Sequence, residues 1–133
     1  MRHKNIILET MTILVAEDDM NMLKTIELRL KKDGHKVIIS HDGRDALTKI
    51  EEMSPDLIIT DIMMPFTSGL EIIDTLKNKD GKKIPIIVLS AVGEENVVLE
   101  AFRLGADDYI RKPFSLNELS MRVKRYIPDL AKM

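Results

Sequence analysis

The sequence predicts an α/β fold built on a parallel five-stranded sheet, and three observations predict it. First, four short apolar runs, Ile13–Ala16, Val37–Ile39, Leu57–Ile59 and Ile84–Leu89, are too short for helices and are rich in β-branched residues or Leu. A weaker fifth run, Asp108–Arg111, carries Tyr109 and Ile110 just before Lys112 and Pro113. Second, the runs are continuous rather than alternating, as expected of strands covered on both faces. Third, every stretch between them has helical spacing. A β-α unit repeated five times folds as a doubly wound sandwich with right-handed crossovers. For five strands the expected order is 2-1-3-4-5, with the ligand crevice beyond the carboxyl ends of strands 1 and 3.

The helical stretches each show one apolar stripe. Leu23, Ile26 and Leu30 mark the first, and Ala46, Ile50 and Met53 the second. Leu70, Ile73 and Leu76 mark the third, Val97, Ala101 and Leu104 the fourth, and Leu116, Leu119, Val123 and Ile127 the last. Ser68 with Glu71 and Ser115 with Glu118 have capping-box spacing, and Asp42 is placed to cap the second helix. Gly34 and Gly105 fall where helices should end, and Pro55 stops the second helix.

The chain has 133 residues, one domain's worth, with 44% hydrophobic and 32% charged residues. That composition excludes low-complexity disorder. Twenty basic against 22 acidic residues leave a formal charge of −2, which argues against direct nucleic acid binding. With no cysteine there is no disulfide, thiolate zinc site or thiol nucleophile. Near the N-terminus the only apolar run, Ile6–Leu8, is too short for a signal peptide, and no stretch is long enough to span a membrane. A cytoplasmic protein without membrane contact is the expectation. Residues 1–11 read as an N-terminal extension, 12–128 as the domain and 129–133 as a C-terminal tail.

The predicted topology brings four strand ends to one sheet edge. Strand 1 ends in Glu17, Asp18 and Asp19, strand 3 in Asp61, strand 4 in Ser90 and Ala91, and strand 5 in Lys112 and Pro113. Glu17, Asp18 and Asp61 would converge there, and their repulsion calls for a cation. Oxygen-only ligands point to Mg²⁺ rather than zinc, with Mn²⁺ as a substitute. Asp19 reads equally well as the N-cap of the following helix. Lys112 alone would be a surface lysine, but beside the carboxylates it becomes a counter-charge. The hydroxyl of Ser90 either ends a strand or faces the crevice. No glycine-rich turn follows strand 1, which rejects dinucleotide and P-loop sites. His3, His35 and His41 fall outside the predicted elements and read as solvated, so no acyl-transfer triad is expected.

Glu17-Asp18, the run Asp61-Ile62-Met63-Met64-Pro65 with Gly69, Leu89-Ser90-Ala91, and Gly105 to Phe114 stand here in order. Over residues 12 to 128 the sequence thereby resembles the receiver domain of two-component response regulators, a CheY-like, flavodoxin-like three-layer sandwich. The resemblance implies that Asp61 accepts a phosphoryl group from the phosphohistidine of a sensor histidine kinase or a histidine phosphotransfer protein. It implies that Glu17, Asp18, Asp61 and the backbone carbonyl of Met63 hold Mg²⁺, and that Lys112 neutralises charge on the transferred group. Ser90 and Tyr109 become the switch residues that remodel the face of helix 4, strand 5 and helix 5, and Lys112–Pro113 becomes a cis peptide. The chain is then a signalling switch rather than an enzyme.

Met63 and Val92 are apolar where relatives carry polar side chains that orient the hydrolytic water, which suggests a long-lived acyl phosphate. A phosphohydrolase with an aspartate nucleophile is the competing reading, weakened because Met63 occupies the place of its general acid. A receiver-like interaction module without phosphorylation is a third. Arg103, Arg111, Lys124 and Arg125 with Asp107, Asp108 and Glu118 make a mixed-charge face, which either pairs two activated copies as a homodimer or is ordinary surface. Output is expected through a downstream protein or an output domain on a longer chain.

Overall fold

The computed structural model describes residues 10–79, 81 and 83–127. Strands and helices alternate: β1 (Thr12–Ala16), α1 (Met20–Lys32), β2 (Lys36–Ser40), α2 (Gly43–Met53), β3 (Leu57–Asp61), α3 (Gly69–Lys77), β4 (Ile86–Ser90), α4 (Glu95–Leu104), β5 (Asp108–Arg111) and α5 (Leu116–Lys124). The sheet has the order β2-β1-β3-β4-β5, and every pairing is parallel. The predicted fold is therefore the observed one. Ala16 is in register with Ser40 and Thr60, Asp61 with Leu89, and Ser90 with Arg111, so the carboxyl ends share one edge.

Successive strand residues point to opposite faces, and each face has its own core. On one, Ile13, Val15, Ile59 and Leu89 pack with Leu23, Ile26 and Leu30 of α1 and Leu119 and Val123 of α5. On the other, Leu14, Ile58 and Val88 meet Ala46 and Ile50 of α2, Ile72 and Ile73 of α3, and Val98 and Ala101 of α4. Each fully buried aliphatic side chain here contributes roughly 1.5–3 kcal/mol. That burial on both sides is why β1, β3 and β4 lack alternation.

The helix caps follow the sequence signals. Asp42 accepts from the Asp45 N–H, and Ser68 and Glu71 complete both bonds of a capping box. Ser115 accepts from the Glu118 N–H, while the Glu118 carboxylate turns to Arg122 at 3.4 Å. Asp19 caps α1 through the N–H groups of Asn21 and Met22. Helices α1 and α5 are also tied by polar contacts: Arg29 donates to Asn117 Oδ1 (2.9 Å) and the Ser120 hydroxyl to Asp33.

Four expectations need correction. Strand β4 begins at Ile86 rather than Ile84, because Pro85 has no N–H to give the ladder and contributes only its carbonyl, to Ile58 N–H at 3.0 Å. Met53 is exposed, since α2 ends there and Ser54 turns left-handed at φ 46°. In α4 the buried line runs through Val98 and Ala101, with Val97 only half-buried. His35 is buried, not solvated, and its Nδ1 accepts from the Met11 N–H at 3.2 Å. His41 is exposed, and His3 lies outside the described residues, as do residues 128–133.

Burial holds His35 below its ordinary pKa; nearby Asp33 opposes this and Lys124 adds to it. The folded protein thus binds fewer protons at this site than the unfolded chain, so the contribution of His35 to stability rises with pH. Urea unfolding should show stability falling as pH drops below about 6.5, the unfolded value. His35→Phe should flatten that part of the profile; an unchanged slope would place the proton elsewhere. Among the described residues no helix is long and apolar enough to cross a membrane.

Candidate functional site: the carboxylate cluster at the sheet edge

The crevice between β1 and β3 holds the acidic groups because both strands end there. Glu17, fully buried, extends β1 by one rung, its N–H donating to the Ser40 carbonyl at 3.1 Å. Glu17 Oε2 accepts from the Asp19 N–H at 3.1 Å, which holds the turn that presents Asp18 to solvent. Asp61 ends β3 and is buried at 7% exposure. One carboxylate oxygen from each of Glu17, Asp18 and Asp61 lies within 4.8 Å of the others.

Lys112 reaches the cluster from the end of β5. Its N–H donates to the Ser90 carbonyl at 2.7 Å, and its peptide bond to Pro113 is cis. The ammonium donates to Asp61 Oδ1 at 3.2 Å and lies 2.8 Å from Glu17 Oε1. The second contact is an ion pair without hydrogen-bond alignment, and Glu17 Oε1 has no hydrogen-bond partner. Three carboxylates against one ammonium leave the pocket anionic. Burial, and then the neighbouring Glu17, push Asp61 up to about 8, against the pull of Lys112. Burial works to lower Lys112, yet Glu17 and Asp61 together hold it above its ordinary value. Three carboxylates converging as hard oxygen donors, with the Lys112 ammonium as their near counter-charge, fit a divalent cation of the Mg²⁺ type.

Ser90 ends β4, buried, and lines a cavity of about 270 Å³ with Val98, Phe102, Tyr109 and Arg111. The Tyr109 ring is partly exposed and stands edge-on to Phe102, centroids 5.8 Å apart. Met63 and Val92 are exposed. The mixed-charge face is largely paired within the chain: Asp107 with Lys77, Asp108 with Arg122 (2.7 Å) and Arg125, and Arg103 with Glu100.

Two features escaped sequence reasoning. The buried hydroxyl of Ser40 donates to Asp42 O and Asp45 Oδ2, fixing the turn after β2 whose last carbonyl holds Glu17. Gly43 lies so close to the β3–α3 loop that a Cβ there would sit 1.8 Å from the Thr67 carbonyl oxygen. The sequence offers no signal for the second, because it depends on the approach of α2 to a loop distant in the chain.

The family model for the response regulator receiver domain matches residues 13–124. The chain belongs to this family: it is a receiver domain of two-component signalling, a signalling switch rather than an enzyme, with an acidic cluster typical of receiver Mg²⁺ sites. It is 40% identical over 117 residues to Response regulator RR06 of Streptococcus pneumoniae, an alignment covering 88% of this chain and 53% of that protein. The chain thus spans about half the length of that curated relative. Among solved structures it resembles a receiver domain from Bermanella marisrubri (36% identity, TM-score 0.81, covering 88% of this chain and 98% of that one). The Francisella response regulator 1452 receiver domain is similar (32% identity, TM-score 0.80, covering 88% and 96%).

Proposed function

We propose that Asp61 is the phosphoryl acceptor, and that its donor is the phosphohistidine of a sensor histidine kinase or of a histidine phosphotransfer protein in the cytoplasm. The observation that carries this reading is the meeting of Glu17, Asp18 and Asp61 within 4.8 Å beside the Lys112 ammonium. An Asp61 carboxylate oxygen forms the new O–P bond as the N–P bond to imidazole breaks, and the nitrogen leaves with the electron pair. Lys112 offsets charge on the phosphoryl oxygens. Glu17, Asp18, Asp61 and the Met63 carbonyl would hold Mg²⁺, or Mn²⁺ in its place. The ion supplies charge neutralisation at the same oxygens.

Phosphorylation adds about −1.5 to −2 of charge to the site, and Ser90 moves to meet it. Tyr109 then turns into the cavity that it lines with Ser90, and the α4-β5-α5 face changes. This face acts on a downstream protein, an output domain or a second copy. Residues 12–128 form the receiver unit, with 1–11 and 129–133 as its extensions.

Incubation with Mg²⁺ and acetyl phosphate should label the wild-type protein on Asp61, and Asp61→Asn should take up no label; persistent label in the variant overturns the assignment. The apolar side chains of Met63 and Val92 offer no hydrogen bond to a hydrolytic water. Loss of label should therefore be faster in Val92→Glu than in wild type, and an equal or slower loss counts against a long-lived acyl phosphate.

A further inference from the structure

At the edge of the sheet opposite the carboxylates, where β3 and β4 begin, a cavity of about 240 Å³ opens between α2 and α3. It exists because both helices stop short of the strands that follow them. The left-handed turn at Ser54 and then Pro55 end α2, and Asn78 caps α3. The floor is apolar, made by Ile50, Pro55, Leu76 and Ile84. Ile50 and Pro55 are buried, but Leu76 and Ile84 are only half-buried, so part of their apolar surface stays in water.

Two charges stand at the rim. Glu51, in the last turn of α2, and Lys79, just past α3, face each other with Oε2 and Nζ 3.9 Å apart. Both side chains are more than half exposed, and a solvated pair at that distance adds little to the stability of the fold. Lys83 donates to the carbonyls of Lys77 and Lys79, which holds the turn that carries the rim ammonium. An apolar floor beneath one carboxylate and one ammonium has the make-up of a small-molecule site, in which apolar area gives affinity and a few polar groups give orientation.

We propose that this cavity binds a free apolar α-amino acid of the size of leucine or phenylalanine. Such a molecule carries its ammonium and carboxylate about 3 Å apart, a spacing fixed by the N–Cα and Cα–C bonds. Laid against the rim with its charges reversed, its ammonium meets Glu51, its carboxylate meets Lys79, and its side chain enters the floor between Ile50, Leu76 and Ile84. The volume selects a small ligand, since 240 Å³ lies below the range of about 300–1,000 Å³ that drug-sized molecules occupy. The two rim charges discriminate against a simple amine or carboxylate, each of which answers one of them and sets nothing against the other. A residue inside a polypeptide lacks the match as well, because its peptide bonds have removed both charges.

The test is a titration of the whole chain followed by amide NMR. The probes are L-leucine, L-phenylalanine, and two leucine analogues that keep one charge each, 3-methylbutylamine and 4-methylpentanoate. Saturable shifts should appear at Glu51, Ser54, Lys79 and Ile84 with at least one of the amino acids, with a Kd on the order of 1 mM. The amine and the carboxylate should each bind about fivefold more weakly or worse, and so should the amino acid to Glu51→Gln and to Lys79→Gln. Both substitutions fall on exposed side chains, and unchanged Tm in the two variants separates lost recognition from lost folding. No saturable shift at these residues up to about 20 mM would overturn the proposal. Equal binding of either single-charge analogue, or undiminished binding in either variant, would overturn it too. Shifts at the same residues that grow with protein concentration, with no amino acid present, would assign the cavity to a second copy of the chain instead.

Discussion

Asp61→Asn is expected to stabilise the metal-free protein, by about 2 kcal/mol or more at pH 8, which raises Tm by about 5–10 °C. The cause is the arrangement of the buried site. Asp61 is pushed from an ordinary 3.8 to about 8 by burial and by Glu17. Between those values the folded protein keeps a proton that the unfolded chain releases, so the site favours folding less and less as pH rises towards 8. Asparagine has no such charge to bury. The gap between variant and wild type should be small near pH 4 and widest at pH 8. Magnesium should close it, because a cation among the carboxylates stabilises the wild type far more than the variant. Metal binding must also displace the Asp61 proton, so Mg²⁺ affinity should rise with pH up to about 8. Thermal melts in EDTA and in Mg²⁺ at several pH values check all three. A variant that melts below wild type at pH 8 in EDTA would show that the carboxylates do not strain the fold.

Gly43→Ala should be the most damaging single-methyl change in the site's surroundings. The added Cβ would lie 1.8 Å from Thr67 O and 2.6 Å from Thr67 C, both backbone atoms that no rotamer change moves. Either α2 or the β3–α3 loop must shift, at a cost of about 3 kcal/mol or more, towards the severe end for overpacking. Because that loop carries Met63 and Phe66, the shift should also weaken Mg²⁺ binding. Urea unfolding with Mg²⁺ titration by NMR measures both. Wild-type stability in the variant would mean that the two segments part at little cost.

Much of this molecule was legible in its residues, for identifiable reasons. Strands β1, β3 and β4 are covered on both faces, and only an unbroken apolar run satisfies that burial, so the parallel sheet announces itself. The carboxylates were readable because parallel strands bring their ends to one edge wherever they lie in the chain. What could not be read depends on neighbours that approach from elsewhere. The N–H of Met11, just before β1, bonds the buried His35, although the neighbours of His35 in sequence are Gly and Lys. Glu27 is buried on a helix whose Lys24 and Lys31 fold over it. Val98 replaces Val97 in the core because α3 and β4 decide which way α4 faces, and both positions satisfy the helical period equally. Phe66 stands at positive φ for reasons no local pattern contains.

The bonds from Arg29 to Asn117 and from Ser120 to Asp33 span 88 and 87 positions of the chain. Helix α1, made before α5, therefore lacks part of its covering until α5 emerges. With α1 resting on a sheet face that α5 completes, the nascent polypeptide must wait, its early apolar stripe sheltered by other means, and then close in a late, concerted step.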